Sequence, residues 1–340
     1  MAIAAGGLGE VVGGGAPSGG DGGGSLRVST LLGHAHVEMA LFCLGSLRRF
    51  SALPVRLRVH DDGTLTGGDL ERLAAGLGEP EVVLRGEADE RLAGFLGSRP
   101  ATRAFREGNA LGLKLVDAVL LADGAERVEG AGGAVGAEGA AGAAGAALAY
   151  CDSDVLFLRP FRRLFEVPAG CGAVFMSDPQ NAYSVRSWQL VRERRLRLAG
   201  RVNSGIIGFR TRCYDPDLVE WFLSRPEYRF APVWVEQTCW ALLGQAAGCR
   251  LLDPTAVGIP VPGRAVSPAT VALHFVSPVR YLLERHRGAA DVAGAPAAAD
   301  TGPVEVATLA APRLTAFALA ASEVRRRLRR LGLQRGGLGG

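Results

Sequence analysis

The sequence predicts an α/β layered domain. Two observations carry the prediction: a strand–helix–strand–helix–strand alternation over residues 26–84, and short apolar runs alternating with helical stretches further along. An apolar fraction of 48% is enough for a substantial core. At 340 residues the chain is one large domain or two small ones, and a body of this size buries roughly three quarters of its unfolded surface.

Leu26–Leu32 reads as the first strand and His36–Phe50 as an amphipathic helix. Val55–His60 alternates with period 2 and runs into the turn cluster Asp61-Asp62-Gly63-Thr64. Asp69–Leu77 is a short helix capped by Thr66 or by the glycines after it, and Glu81–Leu84 is a third strand. Residues 101–122 read as one helix with Leu111, Leu115 and Val119 on a common face. Strands follow at Ala173–Met176, Val202–Arg210, Arg250–Leu252 and Thr270–Val276. Helices are expected at Ser187–Leu198, Asp217–Leu223, Glu236–Gly244 and Leu314–Leu333. Four segments frame a body at 25–287: a Gly-rich stretch 1–24, a Gly/Ala insertion at 123–147, an Ala/Gly/Pro linker 288–312, and a basic tail 313–340. The first two lack hydrophobic periodicity and are expected to be disordered.

The net charge of +4 does not indicate a general grip on nucleic acid. Six scattered cysteines without a C-x-x-C pair read as buried thiols. No leader pattern and no apolar run of spanning length is present, so a reduced, cytoplasmic protein is expected. Lys114 is the only lysine; every other basic side chain, histidine aside, is arginine. A compact ammonium suits phosphate as a point charge where a planar guanidinium does not fit.

The run Ala147–Leu158 contains the most specific chemistry. Two apolar stretches flank Asp152-Ser153-Asp154, and period-2 alternation puts both carboxylates on one face. Two acids converging at a buried strand end repel each other unless a cation lies between them. A hard divalent ion, Mn²⁺ or Mg²⁺, is the economical partner, and such ions are commonly bound together with substrate phosphates. A polar turn after a strand is the plain alternative.

Five further pieces stand in order with this one: His60-Asp61-Asp62-Gly63, Lys114, Asn203-Ser204-Gly205, Glu236-Gln237, and His274-Phe275. The series resembles nucleotide-sugar-dependent glycosyltransferases of the GT-A fold, in particular the glycogenin-like and bacterial lipopolysaccharide-galactosyltransferase-like group, over roughly residues 26–281. The resemblance implies a Rossmann-like, mixed and mostly parallel sheet with flanking helices, and transfer of a sugar from a nucleotide-sugar donor, a UDP-sugar, with retention. It makes Asp152, Asp154 and His274 the metal ligands, with Asp152 also touching the donor ribose. It puts Lys114 on donor phosphate, Asn203 and Gly205 against sugar hydroxyls, and Glu236-Gln237 in the place of an Asp-Gln pair. Asp61 or Asp62, at the end of the second strand, would meet the base or ribose. Glu236 is the candidate base if the reaction inverts.

The chain departs from the family at the closing motif. The expected Gly and Lys-Pro-Trp after His-Phe are absent, and Arg280 stands where the lysine on the leaving diphosphate would be. Two rivals share the frame: a catalytically inactive sugar-nucleotide-binding protein, and a nucleotidyltransferase of the same fold. The acceptor, whether glycan, lipid or protein, is not specified by any motif. The tail, with five arginines between 325 and 330, has two readings. It is either a helix docked on the body with its arginines solvated, or a basic amphipathic helix making peripheral membrane contact through residues 313–335.

Overall fold

The computed structural model describes residues 25–122, 147–286 and 302–330. The stretch 1–24, nearly all of the 123–147 insertion, most of the linker and the last ten residues lie outside the described residues. The expected α/β alternation is present as β1 (Leu26–Leu32), α1 (Val37–Phe50), β2 (Val55–Asp61), α2 (Gly67–Leu77) and β3 (Glu81–Val83). Thr66 caps α2 in a reciprocal pair with Asp69, and Gly78 ends it in the left-handed conformation.

Three helices follow: α3 (Arg85–Gly97), α4 (Pro100–Gly108) and α5 (Leu111–Leu120). The sequence reading placed one helix over 101–122 and none at 85–97. The chain turns a corner at Asn109–Ala110 so tight that a Cβ on Gly112 would lie 2.5 Å from the Cα of Arg106. That close approach breaks the expected helix in two and lets α5 bury almost its whole length.

The remaining elements are β4 (Ala147–Cys151), β5 (Val155–Phe157), β6 (Phe161–Arg162), β7 (Ala173–Ser177), α6 (Ser187–Arg192), β8 (Val202–Arg210), α7 (Pro216–Leu223), α8 (Val235–Ala247), β9 (Cys249–Leu252), β10 (Val257–Gly258), β11 (Ala272–His274), β12 (Val304–Glu305), β13 (Thr308–Ala310) and α9 (Ala316–Arg330). The main sheet has eight strands in the order β13-β9-β7-β8-β4-β1-β2-β3. Pairing is parallel except where β8 and β13 meet their neighbours. This is the mixed, mostly parallel sheet that was expected.

Alternation along the strands sorts the core into two layers. Leu148, Tyr150, Phe175, Ile207 and Phe209 face α5 and α8, where Trp240 packs edge-on to Phe209. Ala149, Cys151, Val174, Met176 and Ile206 belong to the other layer, with α1 and α2. Each fully buried large side chain contributes about 1.5–3 kcal/mol relative to exposure.

Three further expectations are corrected. Residues 304–310, placed in a linker, form β12 and β13; β13 pairs antiparallel with β9 and extends the main sheet. The Arg-rich helix expected over 187–198 ends at Arg192, and the strand over 270–276 is confined to 272–274. In both places the chain takes its hydrogen bonds from partners distant in sequence, such as Leu314 N–H to Leu198 O and Leu158 N–H to Val271 O.

A candidate metal and donor site at the strand ends

Strand register brings the site together. β4 runs alongside β8 with Cys151 opposite Ile206, and the next residue, Asp152, donates its N–H to Gly205 O at 2.8 Å. β5 pairs antiparallel with β11, which sets His274 opposite Val155, and Phe275 N–H reaches Asp154 O at 2.9 Å. Asp154 and His274, 120 positions apart in the chain, are thereby brought together by one backbone ladder. The partners of β7 jump from Ile207 to Asn203 between Phe175 and Met176, an irregularity of the kind that re-aims side chains beside sites.

Asp152, Asp154 and His274 each offer a ligand atom, and these atoms lie within 4.8 Å of one another. His274 Nε2 is 3.1 Å from Asp154 Oδ1 and 3.6 Å from Asp152 Oδ2. Its other nitrogen, Nδ1, lies 3.0 Å from Asn203 Oδ1. Asn203 is itself fixed: its Oδ1 accepts from Gly205 N–H at 2.9 Å, and its Nδ2 donates to Asp178 Oδ2 at 3.3 Å. An acceptor at Nδ1 requires the proton there; Nε2 faces the two carboxylates, donating to Asp154 when the ring is charged and offering a lone pair only when the ring is neutral. That tautomer, held by an outer hydrogen bond, is what a metal-binding histidine needs. Gly205 is required by the same packing, because a Cβ there would fall 2.3 Å from His274 Nδ1.

Burial disfavours the charged forms of both Asp154 and His274. The neighbouring opposite charges outweigh it, so Asp154 is held well below the usual carboxylate range and His274 is raised. Arg280 pairs with Asp154 at 2.7 Å from the more exposed side.

Lys114 lies on α5, buried beside the cluster. Its side chain is 1% exposed, and its ammonium reaches both oxygens of Asp152 at 3.0 Å, Ser204 Oγ at 3.2 Å and Glu236 Oε1 at 3.5 Å. The lone lysine therefore braces Asp152 from behind and is not solvated on a helix surface. Burial lowers its proton affinity, but Asp152 and Glu236 more than restore it. Glu236, in the first turn of α8, is buried beneath the cluster, accepts from Ser204 Oγ, and is raised chiefly by burial. Gln237 turns to Ala182 O at 2.8 Å. Asp61 is also buried, accepting from Gly63 and Leu65 N–H groups, while half-buried Asp62 accepts from Thr64.

Three contributors escaped the sequence reading. Tyr150 donates to Asp152 Oδ1 at 3.1 Å, Ser204 links Lys114 to Glu236, and Asp178 anchors Asn203. Tyr150 was within reach of the alternation argument, two residues before Asp152 on the same strand. Asp178 follows the end of β7 much as Asp152 follows β4, so the strand-end signal was present there too.

No family model and no curated protein matches this chain. Among solved structures, mouse xyloside xylosyltransferase 1 in its apo form is similar over 75% of this chain and 99% of its own, at 13% identity and a TM-score of 0.50. An active-site mutant of LgtC aligns over 80% and 98%, at 12% identity and a TM-score of 0.44. The chain has the GT-A fold that the sequence resemblance implied.

Proposed function

We propose that this protein is a glycosyltransferase that moves a sugar from a nucleotide-sugar, a UDP-sugar, to an acceptor hydroxyl, with Mn²⁺ or Mg²⁺ held by Asp152, Asp154 and His274. The observation that carries the reading is the His274 ring, whose Nε2 is aimed, with Nδ1 against Asn203, at two carboxylates at the strand ends of a GT-A sheet. Oxygen ligands with one imidazole suit a hard or borderline divalent ion, and such an ion, when bound, neutralises charge on the donor diphosphate.

The chain's own residues do the rest. Lys114 and Tyr150 hold Asp152 in one rotamer, and Asn203 holds His274. Arg280, on the more exposed side of Asp154, is placed to add positive charge where the leaving diphosphate would lie. Asp61 and Asp62, at the C-terminal end of β2, are positioned for the nucleoside. The donor C1–O bond breaks, the acceptor oxygen bonds to C1, and the acceptor proton passes to the leaving phosphate oxygen. Glu236, at 3% exposure and engaged with Lys114 and Ser204, lies beneath the cluster, which favours this retaining course over one using Glu236 as base.

A panel of nucleotide-sugars with and without Mn²⁺ or Mg²⁺ tests the proposal by thermal stabilisation and by release of free sugar. A UDP-sugar should raise the melting temperature only with metal and should be slowly hydrolysed. Stabilisation without hydrolysis or transfer would mean a binding module. Consumption of a nucleoside triphosphate with a sugar phosphate would mean a nucleotidyltransferase.

A further inference from the structure

The charge of this molecule is segregated. Three segments, 186–197, 225–234 and 316–330, contain twelve arginines against three glutamates, a surplus of nine positive charges, while the whole chain carries only +4. The rest of the protein is therefore net acidic. These segments adjoin in space: α9 packs against α6, and Arg326 on α9 lies over the Trp234 ring at 4.8 Å and donates to Asn181 O at 2.6 Å. Arg186 stacks on Phe230 at 3.5 Å and ties the 225–234 segment to the start of α6.

The same segments hold six of the twelve exposed large apolar side chains among the described residues, including the three most exposed. Val191 is 72% exposed, Val233 69% and Phe317 84%, with Trp188 and Phe230 each at 50%. One face of α9 is used internally, through Leu319 and Ser322, so the protruding residues are what docking leaves over.

We propose that this arginine-rich, apolar-studded surface docks on an anionic lipid bilayer. Charge complementarity favours an acidic partner, since each arginine near an anionic headgroup layer adds to the attraction. The protruding side chains select the bilayer among acidic partners. Valine and phenylalanine gain nothing on a phosphate backbone, but they gain by entering the headgroup–acyl boundary, where aromatic rings with arginines beside them are favoured. Among the described residues no helix is long and apolar enough to cross a membrane, so contact through this surface is peripheral. The surface borders the segment that runs from Asp178 to α6. It would bring a lipid-borne acceptor to the cluster, a consequence that rests on the transfer reading, whereas the docking itself does not.

The test is co-sedimentation of the full chain with phosphatidylcholine vesicles with or without phosphatidylserine. The protein should pellet with the anionic vesicles and not the neutral ones, and should be released as salt rises from about 0.1 M to about 0.5 M. Replacing three exposed arginines together, Arg194→Gln, Arg325→Gln and Arg327→Gln, should weaken partitioning on the order of a hundredfold. The pair Val191→Ser and Phe317→Ser should weaken it severalfold with the salt dependence unchanged. Equal pelleting with neutral vesicles, no effect of either variant set, or tighter binding to duplex DNA than to anionic vesicles would overturn the proposal. None of these readouts involves sugar transfer, so failure here and failure of the catalytic reading are separable.

Discussion

Helix α5 contributes to two buried cation–carboxylate clusters that are built in opposite ways. At Asp117 it meets Arg106, whose Nε and Nη2 reach the two carboxylate oxygens at 2.6 and 2.7 Å, with both side chains 2% exposed. Asp89 takes a further guanidinium donor at 2.5 Å. At Lys114, one turn earlier, α5 meets Asp152, which keeps 23% of its side chain exposed and stands beside Asp154 and His274. The Arg106 pair is closed: fork and carboxylate match, and no strong acceptor is left facing outward. The Lys114 cluster is held from beneath by Lys114 and on the more exposed side of Asp154 by Arg280, while the Asp152 carboxylate stays partly exposed beside Asp154 and the His274 ring. A buried ion pair alone says little about function. What separates the two is whether the carboxylate has an unused, preorganised side.

Substitutions can break this contrast, and the largest effect is expected at the open cluster. Asp154→Ala should remove metal-dependent donor binding and lower turnover on the order of a thousandfold, with the fold retained. Near-normal turnover of that variant in the presence of a chelator would sink the metal reading.

At the closed pair the loss should appear in stability instead. Arg106→Leu leaves Asp117 buried without its partner and should destabilise by about 3–5 kcal/mol, measured by urea unfolding. Metal affinity of the surviving folded protein should be unchanged. The matching experiment on the open side is the double variant Lys114→Met with Glu236→Gln, which removes the brace without stranding a buried charge. It should fold and lose roughly 10–100-fold in Mn²⁺ affinity by calorimetry. An affinity within twofold of the parent would make Lys114 as purely structural as Arg106.

A smaller effect is expected one bond further out. Asp178→Ala releases Asn203 and should cost roughly tenfold in metal affinity. Nitrogen NMR of His274 should then show both tautomers where the parent shows one; a single unchanged tautomer would remove Asp178 from the site.

His60 is a third kind of buried ionisable group, with no hydrogen-bond partner on either ring nitrogen. Burial, helped by Arg58 and Arg91, lowers its pKa from 6.5 to about 3. The unfolded chain therefore takes up the proton first as pH falls. The contribution to stability is complete above about 6.5 and is lost progressively toward about 3. His60→Leu should flatten that part of the stability profile by a modest amount, and identical slopes for the two proteins would show that His60 is not responsible.

The local elements legible in the sequence were those whose signals are local. β1, α1, β2 and α2 follow from periodicity and from the Thr66 cap. Asp152 and Asp154 were visible because two acids interrupt an apolar strand. The corner at Gly112 was not legible because it rests on a close backbone approach to Arg106, and the strand over 270–276 was legible but not its short extent, which is set by pairing with β5. The same holds for Tyr150, Ser204 and Asp178, whose roles come from hydrogen bonds across strands.

By itself the sequence determined the α/β alternation, the mixed sheet expected through resemblance, and the short list of polar residues worth placing near one another. Alternation and composition suffice for that, because burial of one face is a local constraint. Only the tertiary structure decided what each residue does. It put the single lysine behind Asp152, turned His274 Nε2 toward the carboxylates through Asn203, and drew residues 304–310 onto the sheet edge. Those outcomes depend on distances between strands remote in sequence, and electrostatics and hydrogen bonding are decided at those distances.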